Sequence, residues 1–448
     1  MKTMKQLCSI MTAAAWAVVL LTNPAQGRED TYKGLKTFSE VLSLVESNYV
    51  EEVKSKDLLQ GAIRGMLRSL DPHTAYMTPE AFKEMQVETE GQFGGLGIEV
   101  TIQDDVLTVV APIEGTPAHK AGVEPGDRII KVDDASTKQM TLLEAVRLMR
   151  GPVGTPITIT VVREGLEEPK EIMIIRDLIH IQSTRTRFIE PSIGYVRLKS
   201  FNKTTSKDLS KALEDLEGQG MKRLILDLRN NPGGLLDQAV ETAGLFLESG
   251  KPIVTIKGRN PKKVLPPFTA QNSGHTDYPM VVLVNAGSAS ASEIVAGALQ
   301  DHGRAVLLGA TTFGKGSVQT IVPLSDGSGL RLTTAKYYTP KDRLIQGIGI
   351  EPDIVVSNDT PNAIADDVSR RRRMLRERDL EGALKGEKQT DEPDLPEDEW
   401  TKALRQDQQL QRAIELLNGW EILANQTATT APVPIAPHSA AQVQPTTQ

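Results

Sequence analysis

The sequence predicts an α/β chain with helical segments at both ends. Short apolar runs of strand length at 193–198, 224–228 and 281–284 alternate with stretches whose apolar residues recur every three or four positions. That alternation is the pattern of a mainly parallel sheet joined by crossover helices. Ahead of it, Leu35, Phe38, Leu42, Val45 and Tyr49, then Leu59, Ile63, Met66 and Leu70, step at helical spacing and mark two amphipathic helices over 31–90. Behind it, Trp400, Ala403, Leu404, Leu410, Ile414 and Leu417 mark another.

The 448 residues allow roughly three domains of ordinary size. With 39% hydrophobic and 24% charged residues, a sizeable core is expected. The formal charge of −7 argues against nucleic acid as a partner. Residues 1–27 read as a secretory leader: Lys2 and Lys5, an apolar middle from Met11 to Leu21, then Ala25-Gln26-Gly27 as a small-residue cleavage site. Cleavage there removes the only cysteine, Cys8, so no disulfide is expected. The expected location is exported, in the periplasm or cell envelope, with membrane association if the leader is retained.

Within the core, Leu209, Ala212, Leu213 and Leu216 give one helix face, and Ala239, Ala243 and Phe246 another. The chemistry concentrates between 281 and 320. There an apolar strand runs into Asn285-Ala286-Gly287-Ser288-Ala289-Ser290-Ala291-Ser292, a helix follows, and a second strand leads to a glycine-rich loop with Lys315. A serine at a helix start is exposed among free backbone N–H donors. A neutral lysine can serve as its base; its reference pKa of roughly 10.4 falls on burial. The residues themselves leave Ser288, Ser290 and Ser292 as equal candidates.

The pair NAGSASASEIVAGAL and TFGKGSVQ resembles the signature of tail-specific, or C-terminal-processing, serine peptidases. The resemblance implies Ser290 as nucleophile, Lys315, 25 residues on, as general base, and Gln319 as its support. DLRNNPGG resembles a further motif of that family. It implies that Gly234 and Ala291 donate the oxyanion-hole N–H groups, where fixed donors oppose the charge developing on the scissile carbonyl. Asn-Pro-Gly-Gly is also an ordinary turn before a helix.

GGLGIEV and GTPAHKAGVEPGDRIIKVDD resemble a PDZ domain over 91–178. Gly95, Leu96, Gly97 and Ile98 would form its carboxylate-binding loop, and a peptide would add along the sheet edge. Leu142, Ala145, Val146 and Met149 are expected to border that groove. LDPHTAYM resembles the segment preceding the PDZ domain in the family. The resemblance further implies a crotonase/Clp-protease-like βα core over 179–357. Residues 358–425 read as a helical region and 426–448 as a disordered tail.

The expected function is therefore a secreted or periplasmic serine endopeptidase that recognises protein C-terminal tails through its PDZ domain. No metal or organic cofactor is implied. The C-terminal helix is expected to pack on its own core or on a second subunit. A homo-oligomer, a dimer first, and an accessory activator are the candidate partners besides substrate. The rivals are a non-catalytic PDZ adaptor of the cell envelope, which needs no nucleophile, and a crotonase-like acyl-transfer enzyme. A histidine triad through Asp301 and His302 is disfavoured, because neither aims back toward the helix start. His302 is expected to cap that helix. His73 and His119 read as structural or surface residues.

Overall fold

The computed structural model describes residues 23–260, 266–271, 274–356 and 407–429. Most of the leader, the basic run 370–373, the acidic stretch 385–396, Trp400, Ala403, Leu404 and the tail beyond 429 lie outside them. The chain divides into two compact units: residues up to Glu80 with Gln319–Thr333, and the remainder. Among the described residues no helix is long and apolar enough to cross a membrane.

In the first unit, helices Asn23–Asn48 and Ser55–Arg68 form where the apolar spacing predicts them. Leu35, Phe38, Val41 and Leu44 remain exposed along the first, as does Tyr49 just past its end. Asp71 organises the turn after the second. It accepts the N–H of His73 at 2.8 Å and of Thr74 at 2.9 Å, and the hydroxyls of Thr74 at 2.6 Å and Thr333 at 3.2 Å. Burial works against its charge, but these hydrogen bonds outweigh burial and its pKa is lowered. The strand Ala75–Met77 then pairs antiparallel with residues 329–331.

The second unit holds a six-stranded antiparallel sheet in the order Ile98–Gln103, Val106–Pro112, Arg128–Val132, Pro156–Val162, Lys170–Ile175, with the short strand Ala135–Ser136 pairing off Arg128–Val132. Leu107, Val109, Ile129, Ile157 and Ile159 build its core. Buried Asp127 accepts the Glu124 N–H at 2.9 Å and the Arg163 Nε–H at 2.6 Å. The helix Leu142–Met149 starts at Thr141, whose hydroxyl and Glu144 form a reciprocal cap. Its groove face differs from the expectation. Ala145 and Met149 belong to the core, and Leu142 and Val146 stay at the surface or half-buried. One helical stripe serves two surfaces here, which spacing alone does not separate. A short ladder between Gln92–Gly95 and Asp177–His180 closes the base of this domain. The Lys203 N–H donates to Thr89 O at 3.0 Å nearby, tying it to the rest of the unit.

The same unit also holds a six-stranded sheet whose strands follow chain order: β1 (Thr184–Glu190), β2 (Ile193–Leu198), β3 (Arg223–Asp227), β4 (Met280–Val284), β5 (Val306–Gly309) and β6 (Ile354–Val355). All neighbours are parallel except β1 and β2. Side chains alternate between two faces, and both are covered. On one face Val196, Leu224, Leu226, Val282 and Leu307 meet helices α1 (Thr205–Gly218), α2 (Leu236–Gly244) and α3 (Ala291–Asp301). On the other, Tyr195, Ile225, Val281, Leu283 and Leu308 meet α4 (Gln408–Thr429) through Leu410, Ala413, Ile414 and Leu417. Each fully buried aliphatic side chain stabilises such a contact by roughly 1.5–3 kcal/mol. Of the two docking partners weighed for this helix, its own core is the one observed.

Candidate active site

Three loops meet where β3, β4 and β5 end, at the carboxyl edge of the sheet, where open α/β sheets place their ligands. The first loop runs from Leu228 to Gly234, the second from Asn285 to Ser290, and the third from Ala310 to Gly316.

The three serines at the end of the second loop and the start of α3 part ways. Ser288 is fully buried; its hydroxyl donates to Leu228 O at 2.8 Å. Ser292 is fully buried; its hydroxyl donates to Asn231 O at 2.9 Å. Ser288 thus binds the second loop, and Ser292 the first turn of α3, to the first loop. Ser290 alone is part-exposed. It sits at the entrance of α3 with φ 55° and ψ −110°, a backbone conformation costly for any residue bearing a Cβ.

Asn231 fixes the first loop. Its Nδ2–H donates to Leu198 O at 3.0 Å, its Oδ1 accepts the Gly233 N–H at 2.9 Å, and its carbonyl accepts the Ala289 N–H at 3.0 Å. Two glycines follow because nothing else fits. A Cβ on Gly233 (φ 99°) would lie 2.9 Å from Ser290 Cβ and 2.7 Å from Ala289 O. One on Gly234 (φ 149°) would lie 2.1 Å from Phe201 O. The bridge to Phe201 uses Gly233 O and the Leu235 N–H, so the Gly234 N–H takes no part in it. Gly234 itself is exposed. Ala291, the first residue of α3, carries one of the amides that have no acceptor within a helix.

The residue that joins the second and third loops is Glu293, which the sequence reading passed over. It is fully buried and accepts four hydrogen bonds: Thr312 Oγ1–H at 2.6 Å and Gly314 N–H at 2.7 Å on Oε1, and Ser290 N–H at 2.8 Å and Lys315 N–H at 2.9 Å on Oε2. Burial raises its pKa, and the four donors oppose that rise without cancelling it. A signal existed in the Ser-x-x-Glu spacing of a helix start. The Phe313 N–H donates to Ser288 O at 3.0 Å, adding a direct backbone tie between the same loops.

Lys315 is part-exposed and enters this arrangement through its backbone. Gln319 lies four residues on, half-buried, in the strand Ser317–Pro323, and belongs to the first compact unit. Asp301 and His302 are engaged at the far end of α3. Asp301 pairs with Arg343, and His302 is the C-terminal cap of α3: its backbone N–H donates to Ala298 O at 3.2 Å, while its ring contacts Pro252 O at 2.7 Å. Among the described residues no group of three or more His, Cys, Asp or Glu side chains is placed to hold a metal ion.

In the PDZ-like sheet, Ile98–Gln103 is an edge strand whose outer side is unpaired within that sheet. The loop before it is shaped by Gly97, with φ 76°. Gly97 O accepts the Ile113 N–H at 2.8 Å and the Thr116 hydroxyl at 3.0 Å, and Leu96 O accepts the Ala118 N–H at 2.9 Å. The carbonyls of this loop thus point into the domain.

Comparison with known proteins agrees with this architecture. Residues 192–356 match peptidase family S41, residues 108–163 a PDZ domain, and residues 9–81 the activating protease CtpB N-terminal domain. The chain is 45% identical over 419 residues to a carboxy-terminal-processing protease of Bartonella bacilliformis, covering 92% of this chain and 95% of that one. It is 40% identical over 311 residues to the carboxy-terminal processing protease CtpA of Bacillus subtilis, covering 69% and 66%. Among solved structures, a photosystem II D1 C-terminal processing protease matches with 32% identity and a TM-score of 0.42, over 74% of this chain and 95% of that one. The class that results is a serine-type peptidase carrying a PDZ domain. The chain belongs to peptidase family S41, among the C-terminal-processing proteases.

Proposed function

We propose that the chain is an exported endopeptidase of the bacterial cell envelope that cleaves with a Ser–Lys dyad. One observation carries the assignment: the two flanking serines are buried and bonded to backbone carbonyls, whereas Ser290 is part-exposed on a strained turn at a helix start. In this reading Ser290 Oγ attacks the peptide carbonyl. Neutral Lys315 accepts its proton and returns it to the leaving amine, with Gln319 orienting the lysine. The Gly234 and Ala291 amides receive the oxyanion, and water hydrolyses the acyl-enzyme.

The PDZ domain captures the C-terminal tail of a protein substrate. The unpaired edge of Ile98–Gln103 supplies main-chain partners, and Gly95, Leu96, Gly97 and Ile98 cradle the terminal carboxylate. The groove's second wall is Leu142 and Val146. The apolar residues left open on Asn23–Asn48 support a homo-oligomer.

The test is direct. Purified Ser290→Ala and Lys315→Ala each lose cleavage of an unstructured protein with an apolar tail, while their melting temperatures stay near that of the parent. Full activity in either variant rejects the dyad.

A further inference from the structure

The matched peptidase segment ends at residue 356, yet the loop expected to hold the oxyanion is gripped from beyond it. Asp227 ends β3 fully buried, and Arg229 opens the Arg-Asn-Asn-Pro-Gly-Gly loop only 8% exposed. Tyr195 donates its hydroxyl to Asp227 Oδ2 at 2.7 Å, and Arg229 Nη2 pairs with the same oxygen at 2.7 Å. Asp227 also accepts the Arg229 Nε–H at 3.0 Å, so it covers one side of the guanidinium. The other side is met by α4: Arg229 Nη1–H donates to Asp407 Oδ1 at 2.9 Å and to Gln409 Oε1 at 3.1 Å, and Nη2 pairs with Asp407 Oδ2 at 2.7 Å. Burial works against this cation, but hydrogen bonds to the two aspartates outweigh it and the pKa of Arg229 is raised.

Asp407 is itself held in place. It opens α4, accepting the Leu410 N–H on its side chain at 3.1 Å and the Gln411 N–H on its carbonyl at 2.9 Å. Gln409 anchors the same turn by donating to Val356 O at 2.8 Å. The middle of the helix is fastened separately, where Arg223 donates to Asn418 Oδ1 at 2.6 Å.

We propose that Asp407 is a positioning residue for the peptide-cleavage reaction: through Arg229 it fixes the loop that carries Gly234, so that α4 sets the placement of the oxyanion donor. The inference rests on the reading of Gly234 as that donor. Geometry favours a positional role over a merely structural one. The pair joins α4 to the catalytic loop itself, five residues before Gly234, while the apolar contacts of α4 lie on the body of the sheet.

The experiment compares full-length Asp407→Ala, Asp407→Glu and Asn418→Ala with the parent. It measures kcat and KM on an unstructured peptide substrate, and the affinity of a peptide aldehyde, whose adduct with serine places an oxyanion. Displacing a catalytic group by about 1 Å can cost on the order of 100-fold, so Asp407→Ala should lower kcat by at least about 10-fold and weaken the aldehyde in step. KM changes little, and Asp407→Glu recovers most of the loss. Asn418→Ala lowers the melting temperature but leaves kcat in place. Equal losses of kcat in Asp407→Ala and Asn418→Ala would reduce Asp407 to a structural anchor and overturn the proposal. A fully active Asp407→Ala enzyme overturns it too, leaving the peptidase reading intact. Turnover that survives Ser290→Ala in the same assay overturns that reading and the positioning role together.

Discussion

Glu293 and Lys315, 22 residues apart, meet through one hydrogen bond: Oε2 of the buried carboxylate accepts the Lys315 backbone N–H at 2.9 Å. The same oxygen holds the Ser290 N–H at 2.8 Å. A single side chain therefore sets the spacing between the turn that presents the serine and the loop that presents the lysine. Glu293→Gln keeps the shape but replaces one acceptor oxygen with a donor that faces at least one N–H group in either orientation of the amide. Each buried donor left unmatched costs about 1–3 kcal/mol. The variant should melt at lower temperature and lose on the order of 100-fold in kcat. Steady-state kinetics beside a thermal melt checks this, and a kcat within a few-fold of the parent would count against Glu293 as the spacer.

The raised pKa of Glu293 makes a pH prediction with a definite sign. As pH falls through that raised value, the carboxyl takes up a proton and one of its oxygens becomes a donor. Turnover should fall on acidification, starting above the ordinary glutamate value of 4.5. Stability moves the other way for this group. A pKa raised by folding contributes stability that is present below the unfolded value and lost as pH rises through the folded one. The acid limb of kcat should therefore appear with the fold intact and reverse on neutralisation. Circular dichroism alongside a pH–rate profile tests this; parallel loss of ellipticity and activity would contradict it.

Ser288→Ala and Ser292→Ala each remove one buried hydrogen bond to a carbonyl. A loss of about 1 kcal/mol or somewhat more is expected from each, with cleavage retained. Ser290→Gly should be inactive yet more stable than Ser290→Ala, because glycine relieves a backbone conformation that costs roughly 1–3 kcal/mol with a Cβ. Denaturant titration of the two inactive variants decides it.

Gly233→Ala inserts a Cβ 2.9 Å from Ser290 Cβ and 2.7 Å from the Ala289 carbonyl. The obstacle is mainly backbone, so the turn itself must move. Loss of most activity is expected, together with destabilisation of about 1–3 kcal/mol. An active, equally stable variant would mean the two loops are looser than this packing requires.

Val146→Glu places a charge on the part-exposed side of the PDZ helix proposed to border the tail-binding groove. KM for a substrate with an apolar tail should rise several-fold, with kcat for an untailed peptide unchanged. Equal KM values in both enzymes would argue against a tail-binding role for that groove.

The sequence carried the parts of this site that are local. Strand-length apolar runs placed β2, β3 and β4, and the two-part motif singled out Ser290 and Lys315. What it left open depends on direction or on distance. Ser288, Ser290 and Ser292 are alike as letters, and only the turn decides which hydroxyls face backbone carbonyls. Ala145 and Leu142 fall in one helical stripe, and only packing shows that one enters the core. Glu293 was hidden because a glutamate near a helix start has an ordinary explanation. The contact of Arg229 with Asp407 spans 178 residues and leaves no periodicity to detect.

That span has a bearing on biogenesis. A ribosome finishes the serine, the lysine and every strand of the catalytic sheet well before it reaches Asp407. Under the positioning role assigned to Asp407, a nascent or prematurely terminated polypeptide would have its nucleophile but no fastened oxyanion loop. Full competence to cut would then arrive with α4, sparing neighbouring chains from a half-made enzyme.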